Sequence, residues 1–111
     1  MHELAIADAV VSMVLEQAAD RRVARVGMRI GHLRQVMPAA LRFGFDLVAR
    51  DTRAEGAALE IEHVAVTVWC ERCCSESGAT AMPLACAQCG TLDVAVTRGD
   101  EMSVEWIETE D

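Results

Sequence analysis

Residues 69–74 read Trp69-Cys70-Glu71-Arg72-Cys73-Cys74, and residues 86–91 read Cys86-Ala87-Gln88-Cys89-Gly90-Thr91. Each segment contains a Cys-x-x-Cys pair, and twelve residues separate Cys73 from Cys86. A Cys-x-x-Cys turn brings two sulfurs to one side, so two turns supply the tetrahedral set of four thiolates that zinc prefers. The sequence therefore predicts a zinc site at Cys70, Cys73, Cys86 and Cys89. Because four protein ligands leave no open position, we expect this site to be structural.

The fifth cysteine leaves the identity of one ligand open. Cys74 could replace Cys73 and give a Cys-x-x-x-Cys pair, but we favour Cys73 because its spacing repeats that of the second pair. Cys74 is then a free, partly buried thiol. A redox dithiol is a weaker interpretation, because the chain has no βαβ pattern around the cysteines. Disulfides would require an oxidising compartment.

The composition limits the classes of function. A length of 111 residues fits one domain with a small metal-stabilised insert. Eighteen acidic and ten basic residues give a net charge of −8, which opposes binding to nucleic-acid phosphates and anionic membranes. The N-terminal residues include Glu3 and Asp8 in place of a basic segment, and no apolar stretch is long enough to span a bilayer. We therefore expect a cytoplasmic protein that contacts neither nucleic acid nor membrane.

Hydrophobic periodicity predicts an α+β fold with two helices packed on a small mixed or antiparallel sheet. The helices are expected from Leu4 to about Ala19 and from Pro38 to about Arg50. Strands are expected at residues 23–31, 58–69, 93–96 and 102–107. The cysteines then form a zinc-ribbon-like module of residues 69–91, inserted into an α+β domain of residues 1–68 and 92–111. Gly90 follows the second pair, where such a turn often needs a positive φ.

The first three residues, Met1-His2-Glu3, form a candidate second metal site. The α-amine of Met1, the ring of His2 and the amide nitrogens between them lie within chelating reach of one ion. Ni(II) or Cu(II) can displace an amide proton and bind such a tetragonal set of nitrogen donors. A histidine near a chain terminus is, however, most often only an exposed residue. On these residues alone, the simpler interpretation is favoured.

Several further segments match one known family. They are Met1-His2-Glu3-Leu4, Ala7-Asp8-Ala9, Gly31 after a strand, Val36-x-Pro38-x-x-Leu41-x-Phe43-x-Phe45 and Thr52-x-x-Glu55-Gly56-Ala57-x-Leu59-x-Ile61. Together with the two cysteine pairs, they make the chain resemble the HypA/HybF hydrogenase-maturation proteins over essentially its whole length.

This resemblance implies a metallochaperone that is not an enzyme. Members of the family bind nickel through the N-terminal histidine, here His2, with the backbone of Met1 to Glu3 assisting. They bind structural zinc through four cysteines, which match the two pairs in this chain. They work with the GTPase HypB and pass nickel to the precursor of the [NiFe]-hydrogenase large subunit, and some also serve urease maturation proteins. The α+β domain would then carry nickel, and the insert would carry zinc.

Two further histidines, His32 and His63, are possible metal ligands. Many family members have acidic residues after the glycine of the first strand, where this chain has His32 and Gln35. His32 is therefore a candidate accessory nickel ligand, although an exposed loop residue is the simpler interpretation. His63 is expected to be a strand residue and not a ligand.

The rival hypothesis for the whole protein is a zinc-ribbon interaction adaptor whose N-terminus binds no nickel.

Overall fold

The computed structural model of the chain describes residues 2–110. Within them it contains two helices, α1 (Glu3–Ala18) and α2 (Pro38–Ala49), and a short 3-10 turn, His32–Arg34. The strands are β1 (Val23–Gly31), β2 (Ala58–Val64), β3 (Thr67–Cys70), β4 (Ser75–Gly78), β5 (Val94–Arg98) and β6 (Met102–Thr109). The molecule is elongated, with extents of 53 × 24 × 16 Å. No helix in the described part of the chain is long and apolar enough to cross a bilayer.

The first sheet has the strand order β2-β1-β6 and is mixed. Strand β1 pairs parallel to β2 and antiparallel to β6. A parallel pair needs a long crossover connection, and here α2 lies within it. Both helices pack with the sheet around one apolar core, in which Val26, Leu41 and Phe45 have no exposed surface. The predicted α+β fold of two helices on a small sheet is confirmed.

The helices follow from their apolar spacing. In α1 the buried residues recur at three- and four-residue intervals, which places them on one face: Ala7, Val10, Val11, Val14 and Ala18. Leu4 and Met13, two large apolar residues outside this face, are exposed. Helix α2 begins at Pro38, whose missing N–H group costs nothing at the first helical position.

The second sheet is antiparallel, with the order β4-β3-β5. It spans residues 67–98, so the insert predicted at residues 69–91 lies within it. The single strand predicted from residue 58 to residue 69 is wrong. The chain leaves the first sheet after Val64 and joins the second at Thr67. The alternation of apolar residues changes phase at this point because the two halves of the pattern belong to different sheets.

The two sheets are joined where three segments of the chain cross. The N–H of Gly31, at the end of β1, donates to the carbonyl of Glu101 at 2.7 Å. The N–H of Leu33 donates to the carbonyl of Gly99 at 2.9 Å. Gly99 has a φ of 106° and lies against Val66, which belongs to the other connection between the sheets. Both connections therefore lie at one end of β1, beside the turn that leads to α2.

Candidate metal centre

Two turns at the end of the second sheet bring four sulfurs together. Cys70 ends β3 and Cys73 lies in the turn before β4, whereas Cys86 and Cys89 lie in the loop before β5. The four sulfurs all lie within 4.8 Å of one another. The Sγ atoms of Cys70 and Cys89 are 3.8 Å apart, and those of Cys73 and Cys86 are 3.9 Å apart.

These separations fit a metal and not a disulfide. A tetrahedral zinc with Zn–S bonds of about 2.3 Å places its sulfurs about 3.8 Å apart. A disulfide requires sulfurs about 2.05 Å apart, and all five cysteines are free. The four-cysteine cluster therefore has the donor set and spacing of a closed structural zinc site.

Backbone groups of the turns support the cluster. The N–H of Cys73 donates to the Sγ of Cys70, and the N–H of Gln88 donates to the Sγ of Cys86, both at 3.4 Å. The N–H of Gly90 closes the second turn on the carbonyl of Cys86 at 2.9 Å. The φ of Gly90 is 77°, so the positive φ predicted for this residue is confirmed. The two Cys-x-x-Cys segments thus fold as two turns that aim N–H groups at sulfur.

The sulfurs differ in their affinity for protons. The backbone N–H groups of Cys89 and Gln88 stabilise the thiolate of Cys86 and lower its pKa to about 6. Hydrogen bonding with the sulfur of Cys89, together with burial, raises the pKa of Cys73 to about 12. Without a metal ion, the thiol of Cys73 therefore keeps its proton at neutral pH. A bound zinc ion would replace that proton with its own positive charge.

Cys74 lies outside the cluster. Its side chain is exposed, not partly buried as expected, and its Sγ lies 3.3 Å from the carbonyl oxygen of Glu71. It has a φ of 52° and occupies the position after the first pair that Gly90 occupies after the second. The convergent set therefore contains Cys73 and leaves Cys74 as a free thiol.

The predicted nickel-binding end lies at the start of α1. His2 is exposed and is the N-cap residue of this helix, but its side chain makes no capping hydrogen bond. Its carbonyl accepts the N–H of Ile6 at 3.1 Å. Met1, whose amine and backbone were predicted to assist, lies outside the described residues. The imidazole of His2 is therefore not engaged in capping the helix.

The carboxylate of Glu3 makes a contact that the sequence did not predict. Its Oε2 atom accepts the backbone N–H of Met37 at 2.9 Å. This hydrogen bond is the main cause of a lowered pKa of the Glu3 carboxyl. An acidic residue is a common sequence signal for the start of a helix. That signal does not identify a hydrogen-bond partner such as Met37, which lies 34 residues away along the chain.

The remaining histidines, His32 and His63, are both exposed. His32 is exposed in the 3-10 turn, and His63 is exposed on β2, which is an edge strand of the first sheet. Within residues 2–110, the four-cysteine cluster is the only group of three or more His, Cys, Asp or Glu side chains whose ligand atoms converge. Neither His2, His32 nor His63 belongs to such a group. A nickel site at the N-terminus would therefore rely on backbone nitrogens beside the imidazole.

Comparisons with known proteins agree over the whole chain. A family model described as hydrogenase/urease nickel incorporation, metallochaperone, hypA, matches residues 1–109. The chain is 41% identical over 113 residues to the hydrogenase maturation factor HypA of Azotobacter chroococcum mcd 1, with 99% of this chain and 100% of the relative covered. It is 42% identical over 118 residues to that of Roseiflexus sp. (strain RS-1), with 100% of this chain and 94% of the relative covered.

Solved structures show the same fold. The solution structure of the Ni metallochaperone HypA from Helicobacter pylori matches with a TM-score of 0.67 at 22% identity, over 98% of this chain and 97% of that one. A second solution structure of a HypA protein matches with a TM-score of 0.72 at 22% identity, over 99% of this chain and 97% of that one. With the family model matched over residues 1–109 and relatives more than 40% identical at full length, the chain belongs to the HypA family of metallochaperones for nickel incorporation.

Proposed function

We propose that this protein binds Ni(II) through the imidazole of His2 and the backbone nitrogens of Met1 to Glu3, and that it delivers the ion during maturation of [NiFe]-hydrogenase. Zinc, bound by Cys70, Cys73, Cys86 and Cys89, fixes the shape of the second sheet and takes no part in transport. The observation that supports this assignment is an exposed His2 at the start of α1, with an imidazole that does not cap the helix.

The start of α1 suits a carrier for two physical reasons. The amide N–H groups in the first turn of a helix have no carbonyl partner within the helix, so displacing their protons breaks no helical hydrogen bond. An exposed site also allows a partner to replace the ligands one at a time. Four sulfurs in a closed cluster offer neither property, which supports our proposal that the transported ion binds at the N-terminus and the structural ion at the cysteines.

Replacing His2 with alanine is expected to weaken nickel binding by at least about a hundredfold, because the imidazole is the one side-chain donor of the proposed site. Calorimetric titration of tag-free protein with nickel, together with elemental analysis for zinc, measures this effect. The parent should bind one nickel and one zinc ion per chain, and the variant should keep its zinc.

Two variants serve as controls for this titration. Adding two residues before Met1 moves the α-amine and should weaken binding while leaving His2 in place. His32→Ala tests the accessory ligand and is expected to change affinity less than His2→Ala, because His32 is exposed in the 3-10 turn and belongs to no described group of three or more convergent ligand side chains. Equal nickel affinity in the parent and in His2→Ala would instead favour a zinc-stabilised interaction adaptor without a nickel function.

Nickel affinity is expected to fall on acidification. The amine, imidazole and amide nitrogens must all release protons before they bind the metal. Each proton released changes the affinity by about tenfold per pH unit in the range where that group is protonated. A titration series from about pH 8 to about pH 6 should therefore show a loss of more than about tenfold. An affinity that stays constant over this range would contradict a nitrogen-donor site.

The partners follow from the same proposal. We propose that the protein receives or transfers nickel together with the GTPase HypB, hands it to the precursor of the hydrogenase large subunit, and catalyses no reaction of its own. Urease maturation proteins are a second class of partner. A reducing cytoplasm would keep the four cysteines available as metal-binding thiolates. Co-purification of HypB or the precursor with the parent, tested beside His2→Ala, measures these interactions.

A further inference from the structure

The side chain of Glu3 connects the proposed nickel-binding end to the second helix. We propose that the Glu3 carboxylate is a positioning group, which fixes the backbone of the nickel-binding residues against the start of α2 and is not itself a nickel ligand. This inference rests on the proposed function, because it concerns how the same site is held in shape.

The first observation is where the carboxylate binds. Met37 is the N-cap residue of α2, and its side chain makes no capping hydrogen bond. The next residue, Pro38, has no N–H group. The carboxylate of Glu3 accepts the Met37 N–H at 2.9 Å, and so supplies negative charge to the start of α2 from a different helix. Glu3 is also the first residue of α1, so one carboxylate lies at the N-terminal ends of two helices, where negative charge is favoured.

The second observation is independent of this hydrogen bond. Helix α1 approaches α2 closely at Gly44, where an added Cβ would lie 3.3 Å from the Cβ of Ala7 and 3.5 Å from the Cα of Leu4. The first turn of α1 is thus packed sideways against Gly44 and tied at its end to Met37. Two contacts at different points fix both the position and the direction of this turn.

His2 lies directly before this turn, and the amide of Glu3 lies within it. The anchor, which is the hydrogen bond from the Met37 N–H to Glu3, uses a side-chain oxygen. The proposed nickel site instead uses the imidazole of His2 and backbone nitrogens. Nickel can therefore bind without breaking the anchor, and an anchored backbone loses less freedom when the metal binds. Groups that orient metal ligands in this way typically change metal affinity by about 10- to 100-fold when they are removed.

Nickel titrations of Glu3→Ala and Glu3→Gln test the inference. Glu3→Ala removes the acceptor and should weaken nickel binding by about 10- to 100-fold, with an unchanged nickel absorption spectrum because the ligand atoms are the same. Glu3→Gln keeps an oxygen that can accept the Met37 N–H, and should recover most of the affinity. Asp8→Ala removes a second carboxylate of α1, which is exposed, and is the matched control, with affinity expected within about twofold of the parent.

A second readout reports on the anchor without nickel. Hydrogen exchange of the Met37 amide can be measured by NMR in protein that holds zinc but no nickel. It should be faster in Glu3→Ala than in the parent and in Asp8→Ala. Parent-like affinity in Glu3→Ala would overturn the inference. A changed nickel spectrum in both Glu3 variants would also overturn it, by making the carboxylate a ligand.

The two proposals can fail separately. If the parent binds nickel, His2→Ala loses it and Glu3→Ala does not, the positioning role is wrong and the proposed function stands. If the parent binds no nickel at all, the proposed function is wrong and the positioning role is wrong with it.

Discussion

Replacing Cys86 with serine is expected to reduce bound zinc from one ion per chain to near none and to unfold the second sheet. Cys86 is a buried member of the four-cysteine cluster, and a hydroxyl does not replace a thiolate as a ligand for zinc. Apparent binding free energies of structural zinc are about 10 kcal/mol or more, and this energy is available for folding. Elemental analysis and amide hydrogen exchange across residues 67–98 measure the two effects.

The size of this effect follows from how little apolar surface the second sheet buries. The main apolar core contains residues of α1, α2, β1, β2 and the loop before β2. The buried apolar side chains of the second sheet and its connections lie outside that core: Val66, Val68, Cys70 and Cys86. Small units with so little core usually require a metal or disulfides to remain folded. The first sheet and both helices should therefore stay protected from exchange in Cys86→Ser.

Cys74→Ser is the matched control for this experiment. It makes the same chemical change at a cysteine that is exposed and does not join the cluster. It should retain one zinc ion and parent-like protection of residues 67–98. Loss of zinc from Cys74→Ser, or retention of a full zinc ion by Cys86→Ser, would contradict the ligand set proposed for the cluster.

Features that depend on neighbours in the sequence were predictable. Strand β1 has the predicted bounds, and α2 ends one residue before the predicted Arg50, because apolar periodicity and Pro38 are local signals. The positive φ of Gly90 and the choice of Cys73 over Cys74 follow from the geometry of one turn repeated twice. Local chemistry alone was enough to describe the four-cysteine cluster.

Features that depend on contacts between distant segments were not predictable. Residues 58–69 have the composition of one strand, and only the crossing at Val66 divides them between two sheets. The hydrogen bond between Glu3 and Met37 likewise depends on how α1 packs on α2. In both cases, the partner lies more than 30 residues away along the chain: it is Gly99 for Val66 and Met37 for Glu3.

Replacing Gly31 with alanine is expected to destabilise the whole protein by about 3 kcal/mol or more, because the added methyl group has no space. A Cβ at this position would lie 2.1 Å from the carbonyl carbon and oxygen of Gly99. Those atoms belong to the backbone, so the clash cannot be relieved by turning a side chain. Gly99 is itself confined, since its own Cβ would lie 2.6 Å from the Cα of Val66. Denaturant unfolding of the zinc-loaded protein measures the loss of stability.

The expected loss comes from separating three segments that meet at one point. Moving Gly99 away from Gly31 stretches the hydrogen bonds that join Gly31 to Glu101 and Leu33 to Gly99. It also shifts the connection that leads from β5 back to β6, so both sheets are affected together. Gly78→Ala is the matched control, since no atom lies within 4 Å of a Cβ there and its φ is outside the positive region. It should change stability by about 0.5 kcal/mol or less, and an equal loss in both variants would show that the crossing is not the cause.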